Sequence, residues 1–593
     1  MYRAPVAEIA FTLKHVAGLE EALKQGRLGD LSEDLVDAIL NEAGRFATEE
    51  MAPLYKVGEE VGSVWKDRAV TTPPGWKDLY RRWIEGGWNG LSGPEEYGGQ
   101  ALPTMLNVAA LEMWNSASMA FGVGPTLTMG AVDAIEKHGS EQLKETYLAK
   151  LVSGEWMGTM NLTEPQAGSD LAALRTRAEP AGDGTYRIFG QKIFITYGEH
   201  DYTDNIVHLV LARLPDAPAG TRGISLFLVP KFIPEANGTP GARNDVFCAS
   251  IEHKLGIHAS PTCTMIYGDG SVDGMAAGAI GWLVGEENRG LACMFTMMNN
   301  ARLAVGIQGV AVAEAAYQKA LAYANERRQG RAPGDAGPGM SPIVGHPDVQ
   351  RNLLTMKALT SVARAISYAT AHATDLARGA GDDRQHWQER ANLLTPVAKA
   401  FSTDIGVDVA SLGVQIHGGM GFIEETGAAG YYRDARIAPI YEGTNGIQAI
   451  DLVTRKLPQS GGEHVRGYIG ELRGMVEAVR ASNREGFGET AARCEAAIDD
   501  LVEATDHLMK ALADGRMEEA LAGATPYLRL FALAAGGAYL GRAALAGDGM
   551  ARVSLARFFA ENLVDEAGAL KRRVIGGAGS LAAAALALDG QAA

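Results

Sequence analysis

Residues 186–198, YRIFGQKIFITYG, carry β-favouring Ile, Phe and Tyr in a short run bounded by turn-forming residues, the pattern of an extended strand. Similar runs follow at 205–214 (NIVHLVLARL), 223–232 (GISLFLVPKF) and 263–268 (CTMIYG). Turn-forming stretches such as AGDGT (181–185) and PDAPAGTRG (215–223) lie between them. Short strands spaced by turns predict an all-β domain, a small barrel or sandwich.

The pattern on either side is helical. In SEDLVDAILNEAGRF (32–46), Leu35, Ile39, Ala43 and Phe46 recur at helical spacing behind Ser32, a suitable N-cap. A long apolar run over 290–328 starts a second helical region, which a Gly/Pro-rich loop at 329–347 interrupts. Beyond PQSGGEH (458–464), Ile498, Leu501, Val502, Thr505, Leu508, Met509 and Leu512 make a further stripe. The fold class is therefore α+β: an N-terminal α-helical domain (1–155), a central all-β domain (156–285), a C-terminal α-helical bundle (286–457) and an additional α-helical extension (458–593). At 593 residues the chain exceeds what one hydrophobic core organises, in keeping with several parts.

A net charge of −17 argues against nucleic acid as a main partner, because phosphate binding needs clustered Lys and Arg. The four cysteines, Cys248, Cys263, Cys293 and Cys494, are scattered, which gives neither a zinc site nor a disulfide framework and suits the reducing cytoplasm. The N-terminus, with Glu8, Lys14 and His15 inside its apolar pattern, is no secretory signal. Arg542 and Asp548 interrupt the Ala-rich segment near residue 531, so no membrane span is expected. Charged stretches such as GEHDYTD (198–204) read as solvated loops.

Four stretches hold candidate chemistry. MNLTEPQAGSDLAALRTRA (160–178) offers Thr163, Ser169 and neighbouring amides as donors, with Gly168 permitting close backbone approach to a ligand. In GQKIFITYG (190–198), strand alternation puts Ile193 and Ile195 on one face and Phe194 and Thr196 on the other, where an aromatic and a hydroxyl could cover a planar ring and donate to its edge. In QIHGGMGF (415–422) the paired glycines either admit a pyrophosphate or end a helix. In RDARIAPIYEGTNGIQAIDLVTRKL (433–457), Glu442 follows an apolar run and precedes Ile447, Ile450 and Leu457, which recur at helical spacing. That carboxylate is either an exposed turn acid or a general base whose pKa burial has raised.

Together, and in this order, the stretches resemble the acyl-CoA dehydrogenase family of flavoproteins, over about residues 34–457. The family's T-E-P-x-A-G-S-D stands at Thr163–Asp170, its G-x-K-x-[WF]-I-T at Gly190–Thr196, its Q-x-x-G-G-x-G at Gln415–Gly421 and its Y-E-G-T at Tyr441–Thr444. The resemblance implies FAD as cofactor, an acyl-CoA substrate, and Glu442 as the base that removes the α-proton while the β-hydrogen leaves as hydride. It implies flavin contacts from Leu162, Thr163, Gly168, Ser169, Phe194, Thr196 and Thr444. Arg327, Gln415, Gly418 and Gly419 would serve the nucleotide end, in family practice across a dimer. Ser169, Arg302, Tyr441, Glu442 and Gly443 would line the substrate site. Asn299, Gly330 and Gly446 depart from common family choices near the nucleotide end.

The chain is most similar to the bacterial branch with a C-terminal extension that oxidises 3-methylmercaptopropionyl-CoA in dimethylsulfoniopropionate breakdown. A short or medium straight-chain acyl-CoA is the alternative acyl group. The resemblance further implies a homodimer that passes electrons to an electron-transfer flavoprotein, with an oxidase using oxygen as the second reading. A flavin-bearing alkylation-response protein associated with nucleic acid is the reading from another class.

Overall fold

The computed structural model describes residues 1–588 except Asp273, Met275, Ala380 and Asp548; Asp548, one of the charges interrupting the Ala-rich segment, lies outside the described residues. The chain forms two compact units, one of Met1–Arg45, Thr104–Ser116 and Arg302–Ala593, the other of Phe46–Pro103 and Ala117–Ala301.

The second unit holds an eight-stranded sheet: β1 Met157–Asn161, β2 Arg177–Pro180, β3 Tyr186–Thr196, β4 Ile206–Arg213, β5 Ile224–Pro230, β6 Val246–Ile251, β7 Thr262–Tyr267 and β8 Ala279–Val284. The hydrogen-bonded order is β6-β7-β3-β8-β5-β4-β1, and β2 pairs with both β3 and β4. The circuit β3-β8-β5-β4-β2 therefore closes on itself, which is the small barrel the turn-spaced runs predict. All of β5 and all but the last residue of β4 are buried, so neither strand keeps a solvent face. Against β1 packs the helix Met119–His138. A Cβ on Gly158 would lie 2.5 Å from Ala131 Cβ, so only glycine lets strand and helix come this close.

Two expectations fail in this unit. Strand β3 does not alternate through its end: Lys192 pairs with Met265 and Ile195 with Cys263, leaving Ile193 and Phe194 to bulge opposite Thr264. The extra residue resets the period of two, so Lys192 and Ile195 are both buried. Phe194 takes a left-handed backbone conformation (φ +60) and is 58% exposed. Phe194 and Thr196 thus do not share a simple strand face. The loop at 198–204 is not solvated either. Glu199, His200 and Tyr202 are buried, with Glu199 paired to Lys231 at 2.5 Å, Tyr202 stacked on Tyr80 at 4.8 Å between ring centres, and Asp201 accepting from the Thr72 hydroxyl at 2.6 Å. Partners far away in sequence make the charges buriable, and a local reading cannot see them.

The first unit is helical: α1 Glu33–Phe46, α2 Thr104–Ala117, α3 Gly290–Glu326 from Arg302 onward, α4 Pro347–Arg378, α5 Arg384–His417, α6 Ala428–Ala435 and α7 Asn445–Asp451, then the extension α8 Glu463–Ala481, α9 Thr490–Ala513, α10 Met517–Ala546, α11 Met550–Asn562 and α12 Glu566–Ala584. Ser32 does cap α1, accepting from the Leu35 amide at 3.2 Å. The buried face is rotated from the expected one, however: Val36, Leu40 and Ala43 are buried while Leu35 is 45% exposed.

The stripe of α9 holds, with Ile498, Leu501, Thr505 and Leu508 buried. Helix α10 is buried along most of Tyr527–Ala544 and lies within the extension, where a Cβ on Gly536 would sit 2.5 Å from Val362 of α4. After Glu442 the expected apolar stripe is again displaced. Ile447 and Ile450 are 38% and 36% exposed, whereas Gln448, Ala449, Leu452, Val453 and Leu457 are buried. Polar Gln448 takes a core position because it hydrogen-bonds the preceding turn, as described next.

Candidate active site

Glu442 lies in the turn between α6 and α7, and its own backbone is left-handed (φ +54), followed by Gly443 at φ +82. Glycine adopts this conformation freely, whereas for a glutamate it costs of order 1 kcal/mol and persists only where the surroundings fix it. The surroundings do. The amides of Ile440 and Tyr441 donate to Ile437 O at 2.9 and 3.2 Å, and the Asn445 amide donates to Pro439 O at 3.0 Å. The Tyr441 hydroxyl donates to Gln308 Oε1 of α3. Gln448 Nε2 reaches back to Glu442 O and Gly443 O at 3.3 and 3.4 Å. The Thr444 hydroxyl accepts from the Ile447 amide at 3.3 Å and so starts α7.

The deepest anchor comes from α5. Lys399, with no exposed surface, donates from Nζ to Gly443 O and to Asn445 Oδ1, both at 2.9 Å. The Asn445 side-chain Nδ2 in turn donates to Asp404 Oδ1 at 2.7 Å, Thr403 Oγ1 at 3.0 Å and Ala400 O at 3.1 Å. Lys399 is dry because α3 and α5 touch through glycine. A Cβ on Gly306 would lie 2.7 Å from Ala398 O, and one on Gly309 2.2 Å from Ser402 O.

Desolvation governs the electrostatics. It pushes the Glu442 carboxyl up to about 7, against the opposing pull of Arg302 and Lys399. It pushes Lys399 down to about 7, with Glu442 and Asp404 acting in the other direction. Arg302 is also lowered by burial; it approaches Asp451 only to 3.9 Å, and its Nε is buried without a hydrogen-bond partner among the described residues. A partly buried acid with its pKa near neutrality, beside two cations, meets the electrostatic requirement for a general base.

The structure brings the expected residues into separate groups. Arg302, Tyr441, Glu442, Gly443 and Thr444 assemble around the middle of α5. Gln415, Gly418 and Gly419 lie exposed at the end of α5, roughly 24 Å along the helix from Lys399 at about 1.5 Å per residue. Arg327, exposed at the end of α3, belongs with them, since Tyr323 one turn earlier stacks on His417 at 4.4 Å.

In the other unit the first two motifs meet directly. The Ile193 amide donates to Thr163 O at 2.9 Å, and buried Lys192 donates to Leu162 O at 3.0 Å and to Glu164 at 2.8 Å. This sets Leu162 and Thr163 beside the bulge that presents Phe194, with Thr196 O accepting from Thr159. Gly168 and Ser169 are exposed on the same loop, and nothing lies within 4 Å of a Cβ placed on Gly168.

Sequence reasoning missed Lys399, Asn445, Asp404, Gln308 and Gln448. One signal was available: Lys399 is the only charge in LLTPVAKAF (393–401), a run otherwise fit for a core.

Four family models match the chain: the acyl-CoA dehydrogenase N-terminal domain over residues 34–155, its middle domain over 159–269, its C-terminal domain over 288–457, and an "acetyl-CoA dehydrogenase C-terminal like" domain over 468–585. The chain is 45% identical to the 3-methylmercaptopropionyl-CoA dehydrogenase of Ruegeria pomeroyi, over 99% of its own length and 100% of that protein's. It is 34% identical to a broad-specificity linear acyl-CoA dehydrogenase of Mycobacterium tuberculosis, over 82% and 80% of the two chains. Among solved structures, butyryl-CoA dehydrogenase of Megasphaera elsdenii matches with a TM-score of 0.58 at 26% identity, covering 71% of this chain and 98% of that one. Caenorhabditis elegans ACDH-11, at 21% identity, shares the fold over 100% of this chain and 96% of its own, with a TM-score of 0.78.

Proposed function

Because the chain belongs to the acyl-CoA dehydrogenase family, we propose that Glu442 is the base of an FAD-dependent α,β-dehydrogenation that converts an acyl-CoA thioester to its trans-2-enoyl-CoA. The observation that carries this reading is an acid held in a left-handed turn, with its carboxyl raised to about 7 by desolvation. Once deprotonated, it accepts the α-proton of the thioester. The backbone N–H of Glu442 is the donor we assign to the thioester carbonyl, where negative charge develops as the proton leaves. When bound, FAD supplies the acceptor for the hydride lost from the β-carbon.

The residues suit that cofactor. Phe194 offers an exposed aromatic face beside Thr163 and Thr196, and the open backbone at Gly168 and at Gly418–Gly419 leaves room for phosphates. Arg302, partly buried with an unused Nε near Glu442, suits the thioester end of the substrate. The acyl group we assign is 3-methylmercaptopropionyl, on the strength of 45% identity to the Ruegeria enzyme across both full lengths. The reading extends to a homodimer in the cytoplasm that hands electrons to an electron-transfer flavoprotein. Among the described residues no helix is long and apolar enough to cross a membrane, and all four cysteines are buried and unpaired.

Anaerobic mixing with a panel of acyl-CoAs tests the assignment. Flavin bleaching should be fastest with the methylthiopropionyl thioester, and faster bleaching with butyryl- or octanoyl-CoA would replace it. Oxygen consumption with hydrogen peroxide release would identify an oxidase instead.

Two further results follow. The base works only when deprotonated, so the bleaching rate should climb as pH rises through about 7, well above the ordinary Glu value of about 4.3. A rate that does not vary between about pH 5 and 9 would remove Glu442 from this role. Replacing Phe194 with Ala should weaken FAD retention about tenfold, as expected from lost stacking worth about 1.5 kcal/mol. The thermal midpoint of the flavin-free protein should stay put, because the side chain is largely exposed. Equilibrium titration of the apoprotein with FAD gives the number.

A further inference from the structure

The geometry points to Lys399 as the positioning residue of Glu442: a buried lysine that ties the Gly443 carbonyl to α5, holds Glu442 in its left-handed turn and, in its charged form, favours the carboxylate over the acid. Three observations carry this. Both acceptors of Lys399 Nζ belong to the turn itself, Gly443 O one residue after the base and Asn445 Oδ1 three residues after it. The turn needs an anchor, since Glu442 is one of few non-glycine residues with positive φ. And Lys399 has no exposed surface, so its charge acts on its neighbours with little screening by solvent.

The charged and titratable groups around the pair come from every neighbouring element of the unit. Arg302 approaches from α3, and Asp451, with Arg455 and Lys456 just beyond, from the end of α7. Tyr441 flanks Glu442 on the turn, and Asp404 lies one turn along α5 from Lys399. Arg529 of α10 faces Asp404 and lies 3.9 Å from Asp408, so the extension contributes charge to the same cluster. Arg302 and Lys399 are the two cations that act on Glu442, and Lys399 is the one also bonded to its turn.

This inference rests on Glu442 being the base, so its test reads the carboxyl directly as well as the rate. The infrared C=O band of protonated Glu442 is the one missing from Glu442→Gln protein, and its loss is followed against pH. Lys399→Met removes charge and hydrogen bonds together. Lys399→Gln removes the charge but keeps an N–H donor, and it carries the test should the Met variant fail to fold. Lys399→Arg keeps the charge.

In the Met and Gln variants the band should persist to higher pH by about one pH unit, the effect of losing one of the two cations that act on the carboxyl, with Arg close to the parent protein. The acid limb of the kcat profile should move by the same amount, so that kcat at pH 7 falls about fivefold and recovers in alkaline buffer. Infrared and kinetic limbs unmoved, with the rate lower at every pH, would reduce Lys399 to a structural residue and overturn the proposal. A shifted infrared band with an unmoved rate profile leaves the pairing intact and disproves Glu442 as the base.

Discussion

Glu442→Gln protein will retain FAD and bind acyl-CoA, yet bleach its flavin about 10⁴-fold more slowly than the parent chain, the upper end of what a positioned base contributes. The substitution preserves shape and removes only the proton acceptor. The turn survives it, because the groups that fix it are backbone atoms of Ile437, Pro439 and Gly443 together with Lys399, Asn445 and Gln448. Stability should change little, since a desolvated acid is exchanged for a neutral amide of equal size. Stopped-flow absorbance under anaerobic conditions gives the rate, and the thermal midpoint checks the fold. Bleaching at the parent rate would move the base elsewhere and end the reading of this site.

The second large effect lies away from the chemistry. Arg364 of α4 is buried and donates to Glu112 of α2 at 2.8 and 2.6 Å and to Glu314 of α3 at 2.8 Å, while the Tyr368 hydroxyl donates to the other Glu112 oxygen at 2.5 Å. One guanidinium thereby joins three helices of the unit that contains Glu442. Desolvation opposes its charge, but the two carboxylates outweigh that and hold it well above its usual pKa. Replacing Arg364 with Met leaves two buried carboxylates uncompensated, and should lower the unfolding free energy by about 3–5 kcal/mol. Adding Glu112→Gln and Glu314→Gln to that variant should recover much of the loss, because neutral amides in the same places no longer need a cation. Denaturant titration of the parent, single and triple variants measures both. A Met variant as stable as the parent would mean that water already reaches the cluster.

What could be read from the sequence is what depends on neighbours along the chain. Strand propensity and turn residues marked an all-β region, helical periodicity marked the regions on either side, and motif order picked out Thr163, Phe194, Gln415 and Glu442 before any coordinates. Periodicity finds a helix more readily than it finds the helix's buried side. Leu35, Ile447 and Ile450 match the apolar pattern yet face outward, because the neighbouring helices and the turn at Glu442 select Val36 and Gln448 for the interior. The bulge at Ile193–Phe194 was hidden for a related reason: one extra residue opposite Thr264 is a property of two paired strands.

Lys399 shows where the division falls. In the sequence it is a lysine between two alanines, and a lysine there could as readily run its stem along the surface with its charge in water. Close contact of α3 and α5 through Gly306 and Gly309, and a turn more than forty residues downstream, make it a dehydrated amine bonded to the loop that carries Glu442. Sequence alone therefore fixed which acid to examine. How easily that acid gives up and takes a proton was decided by the folded chain, because desolvation and Coulomb interaction sum over groups that meet only in three dimensions.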